Sequence, residues 1–296
     1  MNNDVFGIIH DYFPRERLIS LQTREGVKYY YFSRGYNSLF EEAMKHSSVF
    51  VEFITDSKEK IVKGYEASSI MLVHSLFYMS KRGRFDVFDF ENAKEKVREI
   101  VNHNGYKMFI DFEMNMPSWQ DKTPFTSEII QIGCVIVDPN DTIVNYYNNY
   151  IKSIKPISDR AKKFLSLGPE AVDEAIDYLD FYRDFKQLLD IYKPIVYVWG
   201  GNDIQTLMNS FEIHKVKPLS IESVDLLKMH HIYFELKNDI GLFNALKIYT
   251  GIDASQAHHA LTDAQATKEV FDGFKRDVNG IEFYDIKKAY SKQPEL

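Results

Sequence analysis

Residues 106–113 read "YKMFIDFE", an apolar run into which two carboxylates, Asp111 and Glu113, are set two positions apart. An extended strand has a side-chain period of two, so both acids point to the same face of a sheet. Two acids at the end of an otherwise apolar strand are costly to bury without a compensating cation. The pair therefore reads either as a metal site or as an exposed strand end with two solvated acids. Two more strand patterns follow across short polar loops, "EIIQIGCVIVD" (128–138) and "TIVNYYNNYIK" (142–152).

Beyond these three strands the pattern alternates. "DRAKKFLSL" (159–167) and "PEAVDEAIDYLDFYRDFKQLLDIY" (169–192) have helical spacing, the second opened by Pro169 at a first-turn position. "KPIVYVWG" (193–200) is a buried strand, "NDIQTLMNSFEIH" (202–214) a helix and "SIESVDLLK" (220–228) a strand. "GLFNALKIYTG" (241–251) is a helix ended by Gly251, and "HALTDAQATKEVFDGFKRD" (259–277) is the last long helix. The expected class from Tyr106 onward is α/β, a mixed sheet with helices on both faces.

The first 75 residues differ: short strand-like runs alternate with turn signals. They are "VFGIIHDYF" (5–13), "RLISLQT" (17–23), a turn at Glu25-Gly26, "VKYYYFS" (27–33), "SSVFVEFIT" (47–55), a charged turn "DSKEK" (56–60), and "ASSIMLV" (67–73). Such spacing predicts a small antiparallel barrel. The polar stretch from Ser80 to Gly105, helical in its second half at Ala93, Val97, Ile100 and Val101, reads as a linker helix. The expected organisation is a barrel over 1–80, a linker helix over 81–104, an α/β domain over 105–277 and a tail over 278–296 whose last residues are disordered.

At 296 residues with 45% hydrophobic content the chain is long enough for two domains. No apolar run reaches the length of a membrane span, and the start "MNNDVFGIIHDYFPRERL" lacks a signal-peptide pattern, so a cytoplasmic protein without a membrane partner is expected. The net charge of −7 argues against nucleic-acid binding through a broad basic surface. Residues 1–100 are balanced, with 15 basic and 15 acidic side chains, so the excess acid lies beyond residue 100. The single cysteine, Cys134, sits in an apolar strand pattern as a buried structural thiol, which excludes disulfides and cysteine-rich zinc sites.

Two further acids fall at telling places. Asp203 follows a buried strand and Gly200-Gly201 and opens a helix, where a plain helix cap would also sit. Asp263 lies on the last helix in "AHHALTDA" (257–264), five residues after His258 and four after His259. Together the chain offers four carboxylates, from a first strand, a strand-to-helix junction and a final helix, plus a histidine at the start of that helix.

That order resembles the DnaQ-like 3′→5′ exonucleases, which use four acids and a histidine; the resemblance covers about Tyr106 to Asp277. It implies a ribonuclease H-like exonuclease fold with a five-stranded mixed sheet, and metal ligation by Asp111 and Glu113 of "DFE", Asp203 of "WGGND" and Asp263 of "HHALTD". The family spacing of histidine plus five selects His258 as the general base and puts His259 on a variable, solvent-facing position. The implied cofactors are two divalent cations, Mg²⁺ or Mn²⁺. Held about 4 Å apart, such ions lower the pKa of a bound water and stabilise a departing 3′ oxygen. A histidine with a pKa near 6.5 suits proton removal from the attacking water.

The run "SEIIQIGCVIVD", "YNNYIKSIKPISD", "VDEAIDYLDFYRDF" and "WGGND" is similar to exoribonucleases of the KapD and Eri type, which act on RNA 3′ ends. Met114-Asn115-Met116 replaces a Thr-Gly pair common in proofreading relatives, and Phe112, Met114 and Asn202 are candidates for lining the terminal-nucleotide pocket. The first 75 residues resemble a cold-shock-type OB barrel, with "GIIHDYF", "LISLQT", "YYYFS", "VFVEFIT" and "KGYEASSIMLV" in the order of its five strands. The resemblance implies base stacking on Tyr29, Tyr31 and Phe32 of the third strand, although Ile19 and Leu21 stand where the second strand would carry aromatics. Arg15, Arg17, Lys28 and Arg34 are candidate phosphate contacts. The expected function is metal-dependent removal of nucleoside 5′-monophosphates from the 3′ end of single-stranded nucleic acid, RNA ahead of DNA. A DNA-directed or short-oligonucleotide exonuclease, and a weakly active nucleic-acid-binding regulatory module, are the alternatives. A barrel that packs on the nuclease or on a second copy in a homo-oligomer stays open.

Overall fold

Apolar side chains recur along the first five strands of the chain, and each of these strands is hydrogen-bonded to a neighbour on either side. The structure, a computed structural model, describes residues 3–23, 26–119, 125–168, 170–236, 239–254, 258–286 and 289. It divides into two compact units, Met1–Val97 with Ile232–Lys237, and Arg98–His231 with Asn238–Leu296. The expected opening of a helix at Pro169 and the expected disorder of the last residues lie outside the described residues, as does Glu25 of the expected first turn.

The first unit begins with β1 (Asn3–Phe13), β2 (Leu18–Thr23) and β3 (Gly26–Tyr31), then α1 (Asn37–Ala43), β4 (Val49–Val62), β5 (Tyr65–Ser80) and β6 (Gly83–Asp89). Neighbours pair antiparallel as β1–β2, β2–β3, β1–β4, β4–β5 and β5–β6, and β3 pairs parallel with β5. The pairings β1-β2-β3-β5-β4 thus return to β1 in a barrel-like ring, which leaves those strands few open edges. Ile9, Ile19, Leu21, Tyr30, Val51, Phe53 and Val73 fill its core.

Two expectations are corrected here. Asp56–Lys60, expected as a charged turn, lies inside β4. The strand bulges there, with Thr55 opposite Ile70 and Glu59 opposite Ser68, and reverses only at Lys63-Gly64, where φ is 52° and 83°. Two consecutive positive φ values match the twist of a tight hairpin, whereas Lys58, Glu59 and Lys60 are exposed side chains of a continuous strand. The stretch expected as a linker helix opens instead with β6, bonded to β5, before α2 (Phe90–Val101) forms.

The second unit holds β7 (Lys107–Met114), β8 (Ile129–Val137), β9 (Ile143–Tyr150), α3 (Asp159–Phe164), α4 (Glu170–Asp173), α5 (Tyr178–Tyr192), β10 (Ile195–Val198), α6 (Asn202–Ile213), β11 (Ser223–Asp225), α8 (Leu242–Thr250) and α9 (Ala260–Val278). Helix α7 (Leu226–Phe234) starts directly after β11. The sheet order is β11-β10-β7-β8-β9, with β7–β8–β9 antiparallel and β10 and β11 parallel to β7. Met108, Ile110, Phe112, Ile132, Cys134 and Ile136 form one core with Phe181 and Phe185 of α5 and Leu207 and Phe211 of α6. On the other face Phe109 meets Phe271 of α9 at 5.3 Å between ring centroids. This is the mixed α/β sheet expected, and Cys134 is fully buried with its thiol pKa pushed up by burial.

The helix expected over 169–192 is broken. Ile176 donates its N–H to Tyr150 O and accepts from Lys152 N, so its backbone belongs to a bridge beside β9, and α5 starts afresh after Asp177. The strand expected over 220–228 ends at Asp225, whose Oδ1 accepts from Lys228 N three residues on, a capping geometry that starts α7.

Candidate active site

The acids of β7 lie where the sheet stops covering that strand. β10 pairs with β7 only as far as Phe109, so the edge beyond it is free of a strand partner. Phe112 N donates instead to Asp203 Oδ1 at 3.1 Å, which ties the first turn of α6 to the same edge. The turn before α6 needs Gly200 at φ +89°, and Gly200 N donates to Asp225 Oδ1 at 3.1 Å. The N-cap of α6 is Gly201, so Asp203 sits inside the helix with its carboxylate turned to β7.

Helix α9 closes the site from the face that Asp111 and Glu113 share. Gly133 of β8 makes this possible: a β-carbon there would lie 2.0 Å from Ala260 C, inside the backbone of the first turn. Asp263 in that turn is 3% exposed, Glu113 and Asp203 7% each. One donor atom each from Glu113, His258 and Asp263 lies within 4.8 Å of the others. His258 has φ 49°, and its ring meets Phe164 of α3 at 4.1 Å. His259 is not the solvent-facing residue expected. Its Nε2 is 3.0 Å from Gln131 Nε2 and its Nδ1 is buried, because the last residue before α9 turns its ring back over β8.

Burial and mutual repulsion shape the electrostatics. Burial first, then Asp203, Asp263 and Glu113, hold the Asp111 carboxyl well above the usual range. Glu113 is pushed up to about 8 by burial, Asp263 and Asp203. Asp203 rises to about 7, mainly by burial, against the hydrogen bond from Phe112 N, with Asp225 and Asp263 adding repulsion. No lysine or arginine among the described residues is a cause of any of these shifts. Crowded carboxylates of this kind are stable as anions only beside a cation, and a set of hard oxygen donors fits Mg²⁺ or Mn²⁺.

The structure thus brings together Asp111, Glu113, Asp203, Asp263 and His258. Phe112 does not join them: it belongs to the core on the opposite face, edge-on to Phe181 at 6.3 Å, because neighbouring strand residues alternate faces. Met114 shares that side, its Sδ accepting from Thr206 Oγ1 at 3.3 Å, and Asn202 is exposed. Asn115 is a tie rather than a contact surface; its side chain bonds Pro156 O and Ser158 N ahead of α3. In the first unit Tyr29 stacks on Tyr65 at 4.1 Å and Tyr31 lies under Lys60 Nζ at 3.6 Å. Phe32, expected as a stacking residue, is buried against Phe40 at 4.4 Å instead. Sequence reasoning missed Phe164, Gln131 and Tyr65. For Gln131 the signal was present, since it shares the parity of Gly133 on β8.

An exonuclease family model, RNase_T, matches residues 108–271, more than half of the chain. The chain belongs to this exonuclease family. It is therefore a nuclease, and its matched segment contains Asp111, Glu113, Asp203, His258 and Asp263. It is 27% identical over 179 residues to a protein named "Probable 3′-5′ exonuclease KapD" from Bacillus subtilis (strain 168), across 59% of this chain and 87% of the relative. Among solved structures it resembles the nuclease domain of 3′hExo, a DEDDh family member bound to rAMP, at a TM-score of 0.50 and 18% identity, over 60% of this chain and 94% of that one. A full-length 3′-exonuclease structure matches at a TM-score of 0.50 and 16% identity, over 60% and 83%. These structural likenesses bear on the fold of the second unit. Among the described residues no helix is long and apolar enough to cross a membrane.

Proposed function

We propose that the exonuclease works from 3′ to 5′ on single-stranded RNA, releasing nucleoside 5′-monophosphates in the cytoplasm. The observation that carries this reading is the meeting of Glu113, His258 and Asp263 within 4.8 Å, beside Asp111 and Asp203. The 3′→5′ polarity is supported by the name of the Bacillus relative, and RNA by the likeness of "SEIIQIGCVIVD" and "WGGND" to exoribonucleases. Two divalent cations held by Asp111, Glu113, Asp203 and Asp263 would make a bound water acidic and stabilise the departing oxygen. His258 accepts the proton of the attacking water; the water oxygen bonds to phosphorus, the bond to the 3′ oxygen breaks, and that oxygen takes a proton from solvent to leave a new 3′ hydroxyl. Asp203 also accepts from Phe112 N, between Asp111 and Glu113, so its carboxylate tethers β7 as well as being one of the groups that would hold a cation. Phe164, whose ring lies against His258, replaces Phe112 as the apolar surface for the last base.

The ring of the first unit is, on this reading, an OB barrel of cold-shock type that holds the strand on stacked tyrosines. Tyr29, Tyr31 and Tyr65 with Lys60 offer aromatic faces and a cation together, the combination that binds single strands without reading sequence. The test uses 5′-labelled RNA and DNA oligonucleotides with Mg²⁺ or Mn²⁺, against Asp111→Ala and His258→Ala variants. A one-nucleotide ladder on RNA that both variants lose supports the reading. Inactivity of the unaltered protein on every substrate sinks it, and a ladder on DNA alone removes the RNA preference.

A further inference from the structure

Gln131 is buried in β8 directly opposite Glu113 of β7, on the face that α9 covers. Its amide makes three contacts. Ala260 N donates to Oε1 at 3.3 Å, while Nε2 lies 3.3 Å from Asn148 Oδ1 and 3.0 Å from His259 Nε2. A backbone N–H only donates, so Ala260 fixes which end of the amide is oxygen; the two hydrogens of Nε2 then serve Asn148 and His259, with His259 Nε2 accepting. The other ring nitrogen, His259 Nδ1, is buried with no partner among the described residues, which leaves Gln131 as the polar anchor of that ring.

The residue before this anchor is strained. His258 has φ 49°, a left-handed conformation that a β-carbon disfavours, and His259 returns to extended backbone at φ −128°. A local strain of this kind persists only where its surroundings hold it. On one side stands Phe164, in ring contact with His258; on the other stand His259 and the first amide of α9, both bound to one side chain, Gln131. We propose that Gln131, through His259 and the Ala260 amide, is the positioning residue that keeps His258 turned towards Glu113 and Asp263. The adjacent histidines thus divide the work, His258 at the reacting water and His259 as the latch. This rests on reading His258 as the base.

The test is a double-mutant cycle on the full chain, with single-turnover and steady-state rates on a labelled RNA oligonucleotide. Gln131→Ala is expected to lower kcat about 10- to 100-fold, below the roughly 100- to 10,000-fold worth of a general base, with KM changed less than about 3-fold. Mn²⁺ affinity, measured by titration without substrate, should change less than about 3-fold. In the His258→Ala background the same substitution should cost less than about 2-fold, since it has nothing left to position. An equal loss in both backgrounds, or a parallel loss of Mn²⁺ affinity, overturns the proposal. His259→Gln, which keeps an acceptor for Gln131, should retain most of the activity that His259→Leu loses; equal activity of the two variants also overturns it and covers the case where Gln131→Ala does not fold. Full activity of His258→Ala by itself refutes the base reading instead, and is separately visible in the same cycle.

Discussion

Raising the pH of the cation-free protein is expected to destabilise its second unit, and adding Mg²⁺ or Mn²⁺ is expected to expel protons. Glu113 is held at about 8 and Asp203 at about 7 in the folded chain, whereas unfolded carboxyls titrate near 4. Both folded values are raised, so the folded chain keeps protons that the unfolded chain has already lost. The stability tied to these groups is therefore fully present below about pH 4 and drains away as pH climbs through about 7 to 8. Each retained proton steepens the loss by about 1.4 kcal/mol per pH unit, so two groups over about three units set a ceiling of several kcal/mol, comparable with a domain's whole stability. At pH 7 a group at about 8 is roughly nine-tenths protonated and one at about 7 roughly half. A cation that requires both as carboxylates should displace roughly one and a half protons from this pair at pH 7 and roughly a tenth at pH 9. Calorimetric titration of Mn²⁺ in buffers of different ionisation heat measures the total release, to which Asp111, also raised, adds beyond this pair, and thermal melts with chelator at pH 5 and 8 measure the stability. A proton count near zero at pH 7, or a chelated protein that melts higher at pH 8 than at pH 5, refutes the argument that burial and repulsion crowd these acids.

Other substitutions probe the frame of the site. Gly133→Ala puts a methyl group into the Ala260 backbone and should displace α9, abolishing turnover and lowering the melting temperature by several degrees. Phe112→Ala removes a core ring and should destabilise by about 3–5 kcal/mol in urea unfolding, with KM for oligonucleotide unchanged in the fraction that stays folded. Asp141→Ala strips Lys107, which is fully buried, of its 2.8 Å partner and should cost about 3–5 kcal/mol by the same measurement; a loss under about 1 kcal/mol would show that the pair is not needed. Tyr65→Ala, which removes the ring stacked on Tyr29, should weaken binding of a labelled single strand by about 1–3 kcal/mol in a polarisation assay, and no change would argue against the tyrosine platform.

Patterns with a fixed period were legible, and patterns that depended on distant partners were not. The alternation in "YKMFIDFE" placed Asp111 and Glu113 on one face, and the same alternation sends Phe112 to the other face, into the core with Phe181. Charge density misled at Asp56–Lys60, since exposed lysines and glutamates occur on an outward strand face as readily as in a turn. Helical spacing misled at Ile176, where a bridge to Ile151 outweighs the local preference of "PEAVDEAIDYL".

By itself, the sequence determined the class of the second unit, the order of its strands and helices apart from the break before α5 and the unforeseen α7, and the carboxylate pair, because these follow from side-chain periods of 2 and 3.6 and from turn residues near at hand. Only the tertiary structure decided three things. It set the pairing that closes the ring of the first unit, β3 parallel to β5, where the sequence pattern implied only an antiparallel barrel. It brought Asp203 to the backbone of Phe112, 91 residues away in the chain. And it separated the two histidines of "AHHALTDA": a left-handed φ at His258 and an extended one at His259 aim neighbouring rings in different directions, one at the acids and one at Gln131, and what holds that difference lies on β8 and α3, far from those residues in sequence.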